Sequence, residues 1–113
     1  MEMSEVIEKL TLFIGERVSI LGVFVMKNEV GYVVENESDI DDLRKAILVD
    51  VPNLKKILLS KIPAYGGGEF SYCDESKIEG VLMPCSDAVF SSALVDVGLL
   101  EVYKHGEVWG AIP

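Results

Sequence analysis

Apolar side chains in the segment 35–61 recur every three or four residues, the spacing of one face of a helix. The series is Ile40, Leu43, Ile47, Val51, Leu54 and Leu58. Pro52 interrupts it, and proline inside a helix removes a hydrogen bond and costs roughly 3 kcal/mol. The pattern therefore predicts two helices, at 39–49 and 52–61, with a single helix kinked at Pro52 as the alternative.

The residues before this segment predict one helix and one β-hairpin. Residues 4–14 carry an apolar helical stripe, and Gly15 stands where a C-terminal glycine belongs. Residues 17–26 are apolar almost throughout and rich in β-branched side chains, so we expect a strand covered on both faces. Residues 27–29 form a short turn, and 30–35 return as the antiparallel partner strand.

After residue 61 the pattern changes to short strands. We expect them at 69–73, 77–83, 88–95, 99–104 and 107–112. The last two form a hairpin across His105 and Gly106. Residues 86–93 have no clean period, so a short helix there is the alternative.

These elements predict one compact α+β domain over residues 1–113, with the order α-β-β-α(α)-β-β-β-β-β. The expected architecture is an antiparallel sheet of about five to seven strands packed with two or three helices. The hairpin–helix–meander order resembles the layout of the profilin-like and roadblock-type small domains. That resemblance implies a layout and no function, because one fold hosts many functions.

Charge and apolar content bear on the partners. Nineteen acidic residues against ten basic ones give a formal net charge of −9, which argues against nucleic acid as a partner. Half of the residues are hydrophobic. Because a small domain has little core to hold them, we expect some of this surface to be buried by self-association or against another protein.

Membrane and export signals are missing from the sequence. No run approaches the roughly 18 apolar residues of a spanning helix, and the first ten residues lack the basic start of a signal peptide. We therefore expect a cytoplasmic protein without a membrane partner. Cys73 and Cys85 would then be thiols, most simply buried and inert.

A glycine-rich loop formed by Tyr65, Gly66, Gly67 and Gly68 is the first candidate binding site. Phosphate-binding loops of this kind lie between a strand and a helix, and they contain GxGxxG or a lysine. This loop follows a predicted helix and has neither. The favoured interpretation is a connector, and the alternative is a lid over a ligand pocket.

Cys85 and His105 are the candidate catalytic residues. A helix beginning at residue 86 would favour the thiolate of Cys85, and His105 is the sole histidine available as a base. Two cysteines and one histidine fall short of the four ligands that structural zinc takes. We therefore expect no metal and no cofactor, and a non-enzymatic protein is the favoured interpretation.

The sequence thus favours a small acidic regulatory or scaffold protein that acts through homodimerisation or protein–protein contacts. Trp109 and Tyr103 are its candidate interface anchors, since aromatic residues dominate interface energetics. One alternative is a small-molecule-binding module or thiol-dependent enzyme with a pocket near the glycine loop and Cys85. The other is an acidic inhibitor of a basic or nucleic-acid-binding partner.

Overall fold

A computed structural model describes residues 2–62, 70–86 and 89–112, so the predicted glycine loop, from Tyr65 to Gly68, lies outside the described residues. The helices are Met3–Glu8 (α1), Leu10–Phe13 (α2) and Leu54–Lys61 (α3). The strands are Arg17–Lys27 (β1), Val30–Val34 (β2), Ile47–Val49 (β3), Phe70–Met83 (β4), Ser92–Lys104 (β5) and Glu107–Ile112 (β6). Two 3-10 turns, Glu37–Asp39 and Leu43–Lys45, connect β2 to β3.

The strands form a mixed sheet that closes into a barrel. Their order is β3-β2-β1-β4-β5-β6, and β3 also pairs in parallel with the beginning of β5, from Ser92 to Leu94. Strands β1, β2, β3, β5 and β4 thereby form a five-stranded ring, and β6 extends the sheet beyond β5. The α+β class is confirmed. The purely antiparallel sheet is wrong, because β3 and β5 pair in parallel. The profilin- or roadblock-like layout is wrong too, because this pair closes the ring.

Strand β1 is buried on both faces from residue 22 to residue 26, whereas on its first half one face is open and Leu21 is 39% exposed, so the predicted cover on both faces is confirmed for the second half alone. The strand pairs with β4 along its whole length and with β2 over its second half. Phe24 and Met26 belong to the main core inside the barrel, whereas Val23 and Val25 belong to a second cluster on the outer wall. Neighbouring residues of a strand point to opposite faces, so this alternation places one apolar layer on each side of the wall.

The predicted helix at 39–49 is wrong. Ile40 and Leu43 contact the outer cluster, whereas Ile47 lies in the main core as part of β3. These apolar residues, spaced three and four apart in the sequence, therefore lie on two sides of the barrel wall and do not form one helix face. The second helix is confirmed as α3, with Pro52 before its first turn, so the single kinked helix is wrong.

The predicted N-terminal helix is present as two short ones. They divide at Lys9, and Met3 and Val6 of α1 are buried against the barrel. Gly15 follows with φ of 85°, the left-handed conformation that favours glycine, which confirms its predicted place at the end of the helix.

The back half has fewer and longer strands than predicted. The strands expected at 69–73 and 77–83 are one strand, β4, and residues 92–104 are the single strand β5. Residues 89–91 are not helical, so the described part of 86–93 shows no helix. The last hairpin is confirmed, with His105 and Gly106 at φ of 54° and 75°, as a tight two-residue turn requires.

Candidate binding groove

A groove crosses the outer wall of the barrel above the second cluster. Its volume is about 360 Å³. Three connections form its sides: the turn from β1 to β2, the segment between β2 and β3, and the connection from β4 to β5. The lining residues are Lys27, Asn28, Val30, Tyr32, Ile40, Asp41, Leu43, Val89 and Phe90. We call it the wall groove.

Two aromatic rings form the floor of the wall groove. The centroids of Tyr32 and Phe90 are 5.8 Å apart with the ring planes tilted by 50°, an arrangement worth about 0.5–1.5 kcal/mol beyond simple burial. The Tyr32 hydroxyl donates to the carbonyl of Ile40 at 2.6 Å. This bond holds the β2–β3 segment against β2, so the floor is formed before any ligand arrives.

Hydrogen bonds also fix the β4–β5 side. The backbone N–H and the side-chain hydroxyl of Ser91 both donate to the carbonyl of Ala46, at 3.2 and 2.8 Å. They join the residue after Phe90 to the start of β3. On the β1 side the Lys27 ammonium lies 5.8 Å from the ring centroid of Phe70, within the range of a cation–π contact.

The groove continues into a second, more open cavity of about 650 Å³. Asp41, Leu43 and Val89 line both cavities, so the two form one elongated depression. The charged residues of the continuation are Asp41, Asp42 and Arg44. The apolar floor of the wall groove therefore continues into a part of the depression that is lined by charged side chains.

The groove occupies a recurrent binding position. Small five-stranded barrels of the OB type bind ligands across the second and third strands and at the loops after the first and fourth. Here Lys27 and Asn28 lie in the loop after β1, Tyr32 on β2, and Phe90 in the connection after β4. The two loops and β2 correspond to that position, whereas no residue of β3 lines the groove, and the ligand must be inferred from the side chains.

Both cysteines contact the outer cluster beneath the groove. Burial raises the pKa of the Cys73 thiol, the carboxylates of Glu37 and Asp74 raise it further, and Lys104 opposes them. A raised pKa keeps Cys73 protonated at neutral pH, so it is a poor nucleophile. Cys85, two residues beyond β4, is half-buried.

The structure does not bring Cys85 and His105 together. Met83, two residues before the thiol, pairs with Ala93 at the beginning of β5. His105 follows the last residue of β5 and is exposed in the turn to β6. Cys85 therefore follows the end of β4 that pairs with the beginning of β5, and His105 lies beyond the other end of β5.

The barrel contains a buried ion pair that the sequence did not lead us to predict. Lys104 Nζ lies 3.1 Å from Asp74 Oδ2, with side-chain exposures of 4% and 8%, and 5.7 Å from the ring centroid of Tyr72. Burial, and then the charge of Asp74, raises the pKa of the Tyr72 phenol. The period-two series Tyr72, Asp74, Ser76, Ile78 is the signal that places Asp74 on an inward face.

The two predicted interface aromatics face different environments. Trp109 is half-buried and contacts the main core. Tyr103 is 37% exposed and pairs across the strands with Val108, which is 60% exposed. Tyr103 and Val108 thus form a small exposed apolar patch, which we call the β5–β6 patch.

Two further observations concern metals and membranes. Within the described ranges, no three His, Cys, Asp or Glu side chains are grouped closely enough to hold a metal ion. Among the same residues, no helix has the length and apolar character needed to cross a membrane.

Comparison with known proteins gives a partial similarity. No family model matches the chain, and no solved structure matches it. A putative F-box/FBD/LRR-repeat protein of Arabidopsis thaliana is 39% identical over 74 residues, which are 65% of this chain and 16% of that protein. The chain therefore spans about a sixth of the length of this relative, and the similarity assigns no family.

Proposed function

We propose that this protein is a non-enzymatic binding module that acts through contact with another protein at the wall groove. The observation that carries the proposal is a preformed apolar groove whose edges are exposed. Val30 and Val89 are 43% and 47% exposed on either side of the buried rings of Tyr32 and Phe90. Exposed apolar surface around aromatic anchors is typical of protein interfaces.

The shape favours a segment of protein over a compact small molecule. The volume of about 360 Å³ is at the lower end of the roughly 300–1,000 Å³ of small-molecule sites. However, the groove opens into the second cavity through Asp41, Leu43 and Val89, and an extended chain fills such a depression better. Small-molecule binding is the second candidate function.

Two observations support a non-enzymatic role. The first is that Cys85 follows the end of β4 that pairs with the beginning of β5, whereas His105 follows the last residue of β5, and a thiol nucleophile needs a base within hydrogen-bond reach. The second is the partial similarity to a putative F-box/FBD/LRR-repeat protein over 16% of its length, which points to protein contact in general.

Affinity capture with matched surface variants tests the proposal. Val89→Asp places a charge at the groove edge, and Leu12→Asp places one on α2 at a residue that is 70% exposed and outside the groove. We expect wild type and Leu12→Asp to capture the same proteins from the native source, and Val89→Asp to lose them while keeping its circular dichroism spectrum. If Val89→Asp captures the same proteins in the same amounts, the groove is not the binding surface.

A further inference from the structure

We infer that Ser38 is a phosphorylation site, modified by a protein kinase that selects acidic segments, and that its phosphate changes the charge of the depression that contains the wall groove. Such a modification goes beyond the proposed function and does not depend on it. Three observations support it: the charge of the chain around Ser38, the exposure of that segment, and the place of Ser38 in the depression.

The reaction transfers the terminal phosphoryl group of ATP to the Ser38 hydroxyl. The Oγ atom of Ser38 forms a bond to the terminal phosphorus, the bond from that phosphorus to its bridging oxygen breaks, and ADP leaves. A carboxylate of the kinase accepts the hydroxyl proton. The product carries a charge of about −1.5 to −2 at neutral pH.

The sequence around Ser38 is the most acidic in the chain. Five carboxylates and no basic residue lie within four positions of it: Glu35, Glu37, Asp39, Asp41 and Asp42. A kinase that binds this segment in extended form meets all five, whichever cavity each lines in the folded chain. Charge patterns of this kind are how kinases select substrates, so a kinase with a basic substrate groove complements the segment.

Three other serines have three carboxylates each within four positions, but each lies inside a regular element. They are Ser4, Ser71 and Ser76. Ser71 and Ser76 lie in β4, which pairs with β1, and Ser76 is 1% exposed. Ser4 lies in α1 between the buried residues Met3 and Val6. A kinase would have to unfold these elements to bind them as extended segments.

Ser38 lies in an exposed turn outside the sheet. Residues 35–38 are all exposed, and Ser38 is the middle residue of the 3-10 turn Glu37–Asp39. The hydrogen bonds of this turn are local, as from the N–H of Ile40 to the carbonyl of Glu37 at 3.3 Å. Opening the turn leaves the strands paired, so Ser38 can enter a kinase without unfolding of the barrel.

Ser38 also lines the open continuation of the wall groove. The formal charges that line the whole depression balance, with Lys27 and Arg44 against Asp41 and Asp42. A phosphate on Ser38 makes this balance negative by about two charges. Arg44 lies 3.8 Å from Asp42 and its side chain is 88% exposed, so it is available to pair with the phosphate.

Phosphorylation of the full chain by purified kinases tests the site. One kinase selects acidic segments and the other selects basic ones, and mass spectrometry of the intact chain and of its peptides gives the number and position of the phosphates. We expect the acid-selecting kinase to add one phosphate, at Ser38, and the other kinase to add none there. Ser38→Ala should take up none, whereas Ser4→Ala, at an exposed serine, should be modified like wild type.

Uncharged variants test the recognition of the acidic segment. Asp41→Asn with Asp42→Asn removes two carboxylates and keeps the size of the side chains, so we expect the rate of phosphorylation to fall by about tenfold or more. Glu107→Gln is the matched control at the exposed first residue of β6, and it should be modified at the rate of wild type. A phosphate on another serine in place of Ser38, or an unchanged rate for the double variant, would overturn the inference.

Amide chemical shifts of the ¹⁵N-labelled chain show where the phosphate lies. We expect phosphorylation to shift the amides of Arg44 and Val89, because both residues line the same cavity as Ser38 although Val89 is distant in sequence. Shifts confined to residues 35–41 would mean that the phosphate points into solvent, and the change in the charge of the depression would be excluded.

These outcomes are separate from those of the proposed function, because neither experiment uses a groove ligand. If Val89→Asp captures the same proteins as wild type while Ser38 is phosphorylated as expected, the groove function fails and the modification site is confirmed. If Ser38 takes up no phosphate while Val89→Asp loses the captured proteins, the modification site fails and the groove function is confirmed.

Discussion

At the scale of single residues, the pair of Lys104 and Asp74 is a charged contact enclosed in an apolar barrel. Removing one member breaks a buried ion pair, at a cost of about 3–5 kcal/mol. We expect Lys104→Met to lower the free energy of unfolding by about that amount in urea denaturation, and Lys104→Met with Asp74→Leu to recover much of it.

An exposed ion pair, Arg17 with Asp96, is the matched control for the buried pair. Arg17 Nη2 lies 2.6 Å from Asp96 Oδ2, with side-chain exposures of 43% and 78%. Arg17→Met should cost under about 1 kcal/mol despite the shorter distance, because solvent screens the pair. If Lys104→Met and Arg17→Met lowered the free energy of unfolding equally, burial would not be the reason for the cost at Lys104.

Two buried serines on neighbouring strands predict opposite results. The hydroxyl of Ser76 donates to the carbonyl of Gly22 at 2.9 Å, whereas the fully buried hydroxyl of Ser92 has no hydrogen-bond partner among the described residues. Ser76→Ala should lower the free energy of unfolding by about 1 kcal/mol, and Ser92→Ala should leave it unchanged or raise it. A loss at Ser92 as large as that at Ser76 would mean that the Ser92 hydroxyl is paired.

The raised pKa of Cys73 predicts slow alkylation at neutral pH. In a Cys85→Ser variant, the rate with iodoacetamide should rise with an apparent pKa above about 8.5, the value of an ordinary thiol. Folding favours the protonated thiol, so its contribution to stability is complete below the pKa of the unfolded chain. It is lost as the pH rises through the folded pKa. An apparent pKa at or below that of a cysteine peptide would contradict the structure.

At the scale of elements, Gly22 lies where β1 packs against the end of β2 and α1 with no room for a side chain. A Cβ at Gly22 would lie 2.7 Å from the carbonyl oxygen of Val34 and 2.8 Å from Met3 Cγ, whereas one at Gly110 would meet nothing within 4 Å. Because a backbone atom blocks the first position, Gly22→Ala should cost at least about 1–3 kcal/mol. Gly110→Ala should be nearly neutral in the same urea titrations. A neutral Gly22→Ala would show that the two strands can separate at this point.

The sequence predicts elements where local chemistry decides them. Both tight hairpins follow from their turn residues, Asn28 and the pair His105 and Gly106, all with positive φ. The error at β4 has the opposite cause. Asp74 looks like a turn residue in sequence, but the strand continues through it because Lys104, thirty residues away, neutralises it inside the barrel. A partner so distant along the chain cannot be identified from the sequence pattern around Asp74.

At the scale of the whole molecule, barrel closure and the groove are both consequences of long-range pairing. Strand β3 is three residues long. Its local sequence pattern predicts a helix, and only the parallel pairing with β5 makes it a strand. The groove follows from this closure, because it places Phe90 beside Tyr32. The acidic run in 35–42 is visible in the sequence, but the position of Asp41 beside an aromatic floor is not.

The net charge predicts opposite salt dependence for two kinds of association. Copies that meet through the β5–β6 patch bring two molecules of charge −9 together, so screening strengthens their contact. Binding of a basic partner to a molecule of this charge would be weakened by the same salt. We expect light scattering at micromolar concentration to show the mass rising between about 0.05 and 0.5 M salt, and Val108→Glu to prevent the rise. A monomer at every salt concentration would exclude homodimerisation, and a dimer that dissociates with salt would show that oppositely charged surfaces hold the copies together.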